Sequence, residues 1–166
     1  CGVAFKVAQA ILAKYEKTEF VYEILPFVAV GTVSDIVPLI GENRYFVSKG
    51  LELISKGKHK GLKILLESAG YDITKGVSSE MIAFGVAPRI NASGRLDTVE
   101  SALKVLISDN VQEIQMAVTT LNELNKVRQT LCQEVFAQAD AMVQKEGNRF
   151  PAIVLANEGW HIGIIG

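Results

Sequence analysis

The sequence is poor in cysteine and in excess charge, and it has no long apolar run. Cys1 and Cys132 are the only cysteines. They are too few and too far apart for a zinc site or a disulfide framework, so a cytoplasmic setting is the default expectation. No apolar stretch approaches the roughly 20 residues that a membrane span requires, and no signal peptide is expected. Seventeen Lys and Arg against eighteen Asp and Glu leave a formal net charge of -1, so any nucleic-acid binding must come from a local patch and not from the whole-protein field. What is present is 49% hydrophobic residues in 166, a globular composition sufficient for one domain, or for one domain and part of another. The chain opens inside a helical pattern without an initiator methionine and stops just after Trp160-His161-Ile162-Gly163. It is therefore expected to be a piece of a longer protein.

Val3 to Tyr15 carries Val3, Phe5, Val7, Ala8, Ile11 and Leu12 with polar residues between, which predicts a helix with a wide buried stripe. Phe27 to Val33 is a short unbroken apolar run rich in β-branched residues, the pattern of a strand buried in a mostly parallel sheet. A helix followed by such a strand points to an α/β fold class. Asp35 follows that strand at the end where open α/β sheets bind ligands, and it reads as a ligand-facing carboxylate, with a helix N-cap as the competing role. Helices are expected over 42–55 and 60–68. The lysine-rich turn Lys56 to Gly61 between them reads as solvated, and His59 receives no catalytic role.

Ser78 or Ser79 can N-cap a short helix through Met81, Ile82 and Phe84. Phe84 to Asp97 then reads FGVAPRINASGRLD. Pro88 predicts that the helix stops and a loop begins. In an extended loop Arg89, Asn91, Ser93 and Arg95, at every second position, would point the same way and offer two guanidinium forks to phosphate oxygens. A plain solvated loop is the competing reading. Asp97 with Glu100 resembles a capping box for the next helix.

From about Asp109 to Glu146 no proline or glycine interrupts a single helical pattern, long enough to connect two globular units. Asn125 and Arg128 fall at or beside its apolar stripe, so they either line a groove or sit solvated just off the seam. Gly147-Asn148 is expected to end the helix, and Phe150-Pro151 to open a second buried strand, Ala152 to Ala156. Gly163 and Gly166 would permit close approach to a phosphate, but their spacing matches no dinucleotide or P-loop pattern.

Five segments taken together resemble the RecJ family, single-stranded-DNA-specific exonucleases of the DHH phosphoesterase superfamily. They are Cys1 to Lys6, Gly31 to Leu39 (GTVSDIVPL), Ala87 to Leu96 (APRINASGRL), Leu121 to Arg128 (LNELNKVR) and Trp160 to Gly166 (WHIGIIG). The resemblance implies a 5′ to 3′ exonuclease of DNA repair and recombination that hydrolyses phosphodiester bonds with two Mn2+ or Mg2+ ions. Single-stranded DNA would be its substrate, with a single-strand-binding protein and a helicase as possible partners. It implies that residues 1–108 are the C-terminal part of a DHH-type α/β domain, 109–147 a connector helix and 148–166 the start of a DHHA1 domain. Asp35 matches a metal-ligating aspartate, with Ser34 where alanine is more common. Arg89, Asn91 and Arg95 match a motif facing DNA phosphates, Arg128 a helix arginine and His161 the start of the DHHA1 motif. One aspartate cannot build a two-metal site, so the chain alone is expected to be inactive. Competing readings are a DHH-family phosphodiesterase for short oligonucleotides or cyclic dinucleotides, a pyrophosphatase, and a non-catalytic nucleic-acid-binding scaffold.

Overall fold

A computed structural model of the chain describes residues 1–96, 99–146 and 152–165. Among the described residues there are eight α-helices: α1 (Gly2–Lys14), α2 (Leu25–Ser34), α3 (Gly41–Ser55), α4 (Lys60–Ser68), α5 (Ala87–Leu96), α6 (Glu100–Ile107), α7 (Val111–Glu146) and the single turn α8 (Ile162–Ile165). Two 3-10 turns, Thr18–Val21 and Ile73–Lys75, and a π-helical segment, Met81–Val86, complete the order. No strand occurs among the described residues, so the expected α/β class with its mostly parallel sheet is overturned.

The residues expected as the first strand, Phe27 to Val33, lie inside α2. Pro26 occupies the first turn of that helix, where its fixed φ suits the geometry and its missing N–H costs nothing. A short apolar run cannot by periodicity alone be told from a buried helix segment. Here Leu25, Val28, Ala29, Val30, Thr32 and Val33 are all buried, and burial overrides the modest helix penalty of the β-branched residues. A lone strand would also leave its backbone groups unpaired, whereas a helix satisfies them within itself. Ala152 to Ala156, expected as a second buried strand, is irregular and forms no strand. Val154 there is 92% exposed. The expected capping residue Asp97, the helix end at Gly147-Asn148, Phe150-Pro151 and Gly166 lie outside the described residues.

Two apolar clusters hold the helices together. The larger runs from Val30 and Val33 through Ile54, Leu62, Leu65, Ile82, Val86 and Val105 to Ile114, Val118 and Leu121, so it joins α2, α3, α4, α6 and the first half of α7. The smaller unites Phe5, Val21, Leu25, Val28 and Phe46, with the rings of Phe5 and Phe46 at 4.7 Å in an edge-on arrangement. Close approach is set by glycine. A Cβ placed on Gly61 would lie 1.7 Å from the Val105 carbonyl oxygen, and one on Gly50 would lie 2.5 Å from the Leu25 carbonyl oxygen. Of α1 only Phe5 is buried, and Val3, Val7 and Ile11 form an exposed apolar row in place of the wide buried stripe that was expected.

His59 locks α4 to α6. Its Nδ1 accepts from the Leu62 amide at 3.3 Å and so caps α4, while Nε2 sits 3.0 Å from the Leu106 carbonyl. With the first nitrogen accepting, the proton belongs on the second. The ring meets Phe27 edge-on at 4.8 Å. Burial lowers the imidazole below its ordinary 6.5, and the Leu106 carbonyl and Asp109 only partly oppose this.

Candidate nucleic-acid interface

Pro88 does not end the helix. Ser78 Oγ accepts from the Met81 amide at 3.3 Å to start it, and the chain then passes from the π segment directly into α5. The Ala87 amide reaches back five residues to the Ile82 carbonyl. This wider turn takes up the residue at which proline can neither donate nor fit a regular i−4 contact. Gly85 allows the tight fit, since a Cβ there would lie 2.5 Å from the Tyr71 ring.

A helix sorts the PRINASGR residues by a period of 3.6 instead of two, and the expected common face divides. Arg89 and Ser93, four apart, face inward. Arg89 Nη1 donates to the Gly85 carbonyl at 2.7 Å and Nε to Asn122 Oδ1 at 2.6 Å, and Asn122 Nδ2 continues to Ser68 Oγ at 3.2 Å. Desolvation lowers the Arg89 pKa from the usual guanidinium range. Ser93 is fully buried and donates to the Ile90 carbonyl at 2.8 Å. Asn91 and Arg95, also four apart, instead line a cleft of about 400 Å³.

Other walls of that cleft come from the end of α2 (Val33, Ser34, Ile36), the face of α7 that carries Arg128 and Cys132, and Gly163 with Ile164. Asn125 is 5% exposed, and its Oδ1 accepts from Arg128 Nε at 3.2 Å. Asn125 is thus no solvated residue off the seam, and Arg128 brings a second guanidinium to the same space as Arg95. Cys132, one turn beyond Arg128, was not singled out by sequence pattern, and neither were Ile36 or Phe84. Their places follow only from knowing which helices meet.

Asp35 caps α2 at its C-terminal end, so it is neither a strand-end residue nor an N-cap. The Ile36 amide bonds the Val33 carbonyl at 3.1 Å and the Val37 amide the Thr32 carbonyl at 3.2 Å, the paired pattern that closes a helix through a left-handed residue. That residue is Ile36, at φ 54° and 90% exposed. A β-branched side chain is strained there, costing about 1–2 kcal/mol. The turn aims Asp35 outward between two cleft-lining neighbours. Among the described residues no three His, Cys, Asp or Glu side chains gather to hold a metal ion, so Asp35 is one hard oxygen donor and no complete site.

The C-terminal segment is pinned at two points. Trp160 Nε1 donates to Gln138 Oε1 at 2.8 Å on α7, and Arg95 Nη1 donates to the Gly163 carbonyl at 2.7 Å. His161 is exposed, and its Nδ1 accepts from the Gly163 amide at 3.1 Å, so it caps α8 while Gly163 and Ile164 reach the cleft.

No family model matches the chain. Its sequence is 37% identical over 165 residues to the single-stranded-DNA-specific exonuclease RecJ of Bacillus subtilis, covering 99% of this chain and 20% of that protein. It is 39% identical over 144 residues to the RecJ of Thermus thermophilus, covering 87% and 21% respectively, and 36% identical over 149 residues to that of Escherichia coli, covering 87% and 26%. A crystal structure of Thermus thermophilus RecJ in complex with Mg2+ superposes with a TM-score of 0.75 at 36% identity, over 86% of this chain and 22% of that one. A structure of exonuclease RecJ bound to manganese gives 0.70 at 37% identity, over 85% and 36%. The chain spans about a fifth to a third of the length of the curated relatives it matches.

Proposed function

The chain is a homologue of one segment of the RecJ exonucleases, and on that premise we propose that it forms one wall of the DNA groove in a longer 5′ to 3′ exonuclease acting on single-stranded DNA. The observation that carries this is the convergence of Asn91, Arg95 and Arg128 on a single cleft at the C-terminal end of α2. Two guanidinium groups in one concavity suit successive phosphates of a strand. Asp35 would contribute one carboxylate oxygen to a site for Mn2+ or Mg2+ whose other donors come from the longer protein, and those ions would supply a hydroxide nucleophile and leaving-group stabilisation. The work of this chain's own residues is binding and alignment. Arg95 and Arg128 hold phosphates, Asn91 lines the same cleft, and Arg89 braces the helix from behind. His161 acts through α8 and sets the position of Gly163 at the cleft. The setting is cytoplasmic DNA repair and recombination, where a single-strand-binding protein and a helicase would supply the strand.

The test is equilibrium binding of a 5′-labelled single-stranded oligonucleotide over a range of salt. Replacing Arg95 or Arg128 with alanine is expected to reduce the slope of log K against log salt by about 0.7 each, the increment for one phosphate on a single strand. The oligonucleotide should also protect Cys132, which lines the cleft, from maleimide. Unchanged slopes together with an unprotected Cys132 would remove the cleft from the DNA path.

A further inference from the structure

Asn125 occupies a position where an apolar residue would be expected. Ile114, Val118 and Leu121 form the buried stripe of α7, and the next position on that stripe is 125. A leucine there would extend the core without burying an amide, which is unfavourable unless hydrogen-bonded. The amide's oxygen is committed to Arg128 Nε at 3.2 Å, one turn further along the same helix. Arg128 is half-buried and lines the cleft.

We propose that Asn125 is a positioning residue that fixes the guanidinium plane of Arg128, leaving the edge formed by its two terminal nitrogens to face a phosphate in the cleft. This rests on the reading of Arg128 as a phosphate ligand. A guanidinium is a rigid planar fork, so holding Nε sets the direction of all the remaining N–H groups at once. Fixing the fork before binding removes rotamer freedom that the complex would otherwise lose. The chemistry also explains an amide in preference to a carboxylate. Aspartate could accept the same bond, but it would neutralise the charge that the phosphate needs. Asparagine orients the cation and leaves its charge whole.

Two measurements on the 166-residue chain test this. The first is hydrogen exchange at arginine Nε by NMR. The Arg128 Nε–H should exchange more slowly than that of exposed Arg44, and Asn125→Leu should bring the two to similar rates. The second is a double-mutant cycle read by fluorescence anisotropy with a single-stranded oligonucleotide. Arg128→Ala alone should weaken binding about tenfold, the loss of one charge-assisted hydrogen-bonding group. Asn125→Leu should weaken it severalfold and lower the salt slope toward that of Arg128→Ala, with no further loss when the two are combined. Should the leucine variant fail to fold, Asn125→Ala, which cannot overpack the site, supports the same cycle. Additive losses, or fast exchange at Arg128 in the unsubstituted chain, would overturn the positioning role and leave the cleft reading in place. An Arg128→Ala variant with unchanged affinity and slope would overturn both.

Discussion

Two residues in the cleft region carry roles that their side-chain chemistry alone would misassign. Arg89 belongs to a cationic motif, yet both of its bonded nitrogens serve the fold, tying the carbonyl of Gly85 and the amide of Asn122 across the α5–α7 contact. Arg89→Ala should therefore lower stability by about 1–3 kcal/mol, the cost of leaving such partners unpaired, while leaving the salt slope of DNA binding unchanged. Chemical denaturation and the salt titration check the two halves separately, and a reduced slope with intact stability would reverse the assignment. Ile36 is apolar, β-branched and exposed, and it occupies a left-handed conformation that glycine adopts without penalty. Ile36→Gly should raise the denaturation midpoint by an amount corresponding to about 1 kcal/mol, because the relieved strain exceeds glycine's entropic cost. A midpoint that falls would mean that the isoleucine side chain contributes contacts outweighing its strain.

At the scale of elements, α4 makes two independent attachments to α6, and each gives a prediction. Gly61 meets the Val105 carbonyl so closely that Gly61→Ala cannot be absorbed by a side-chain shift. Overpacking against backbone of this kind should cost about 3 kcal/mol or more, visible as a large fall in the urea midpoint with the far-UV spectrum of the folded state retained. His59 gives a pH dependence. Because burial depresses its folded pKa below 6.5, the unfolded chain takes up the proton first as pH falls. The His59 contribution is thus complete above about pH 7 and declines as pH drops through 6.5 toward the lower folded value. Glu52, held down to about 2 by hydrogen bonds from Lys56 and Lys49, acts in a separate window and loses its contribution only below its ordinary 4.5. His59→Asn, which retains a capping acceptor, should flatten the stability curve between pH 7 and 5, and an equally steep curve would place that titration elsewhere. The helices themselves were legible where apolar spacing was regular, as in α3, α4 and α7. Phe27 to Val33 was not, since a run buried on every side has no periodicity to read. Nor was α5, because a proline that normally interrupts a helix is accommodated by the π segment before it. One wrong local geometry then placed Arg89 and Ser93 on the face of Asn91 and Arg95. Asn91 and Arg95 were grouped correctly only because residues four apart on a helix, like residues at even spacing on a strand, share a side.

For the whole molecule, the long helix α7 sets where the cleft and the C-terminal segment lie. The 36-residue α7, about 54 Å long by its rise, is buried along its first half, and all its fully buried positions end at Asn125. Beyond that point Gln138 on α7 accepts from the Trp160 indole, while Arg95 on α5 holds the Gly163 carbonyl, so the two helices together fasten the C-terminal segment. Large apolar side chains such as Val3, Val7 and Phe136 stay exposed, surface of the kind that further contacts would cover. The cleft is assembled within this frame, whereas among the described residues Asp35 belongs to no group of three or more His, Cys, Asp or Glu side chains that could hold an ion. A ligand that binds only the folded state raises its stability in proportion to affinity. A lone exposed carboxylate binds divalent ions too weakly for that effect. Millimolar Mn2+ should therefore shift the melting temperature of the chain by less than about 1 °C, and the purified chain with Mn2+ should leave single-stranded DNA undegraded while still binding it. A rise of several degrees that Asp35→Asn abolishes would show a competent ion site within these 166 residues, and DNA cleavage lost in the same variant would show that the site is catalytic.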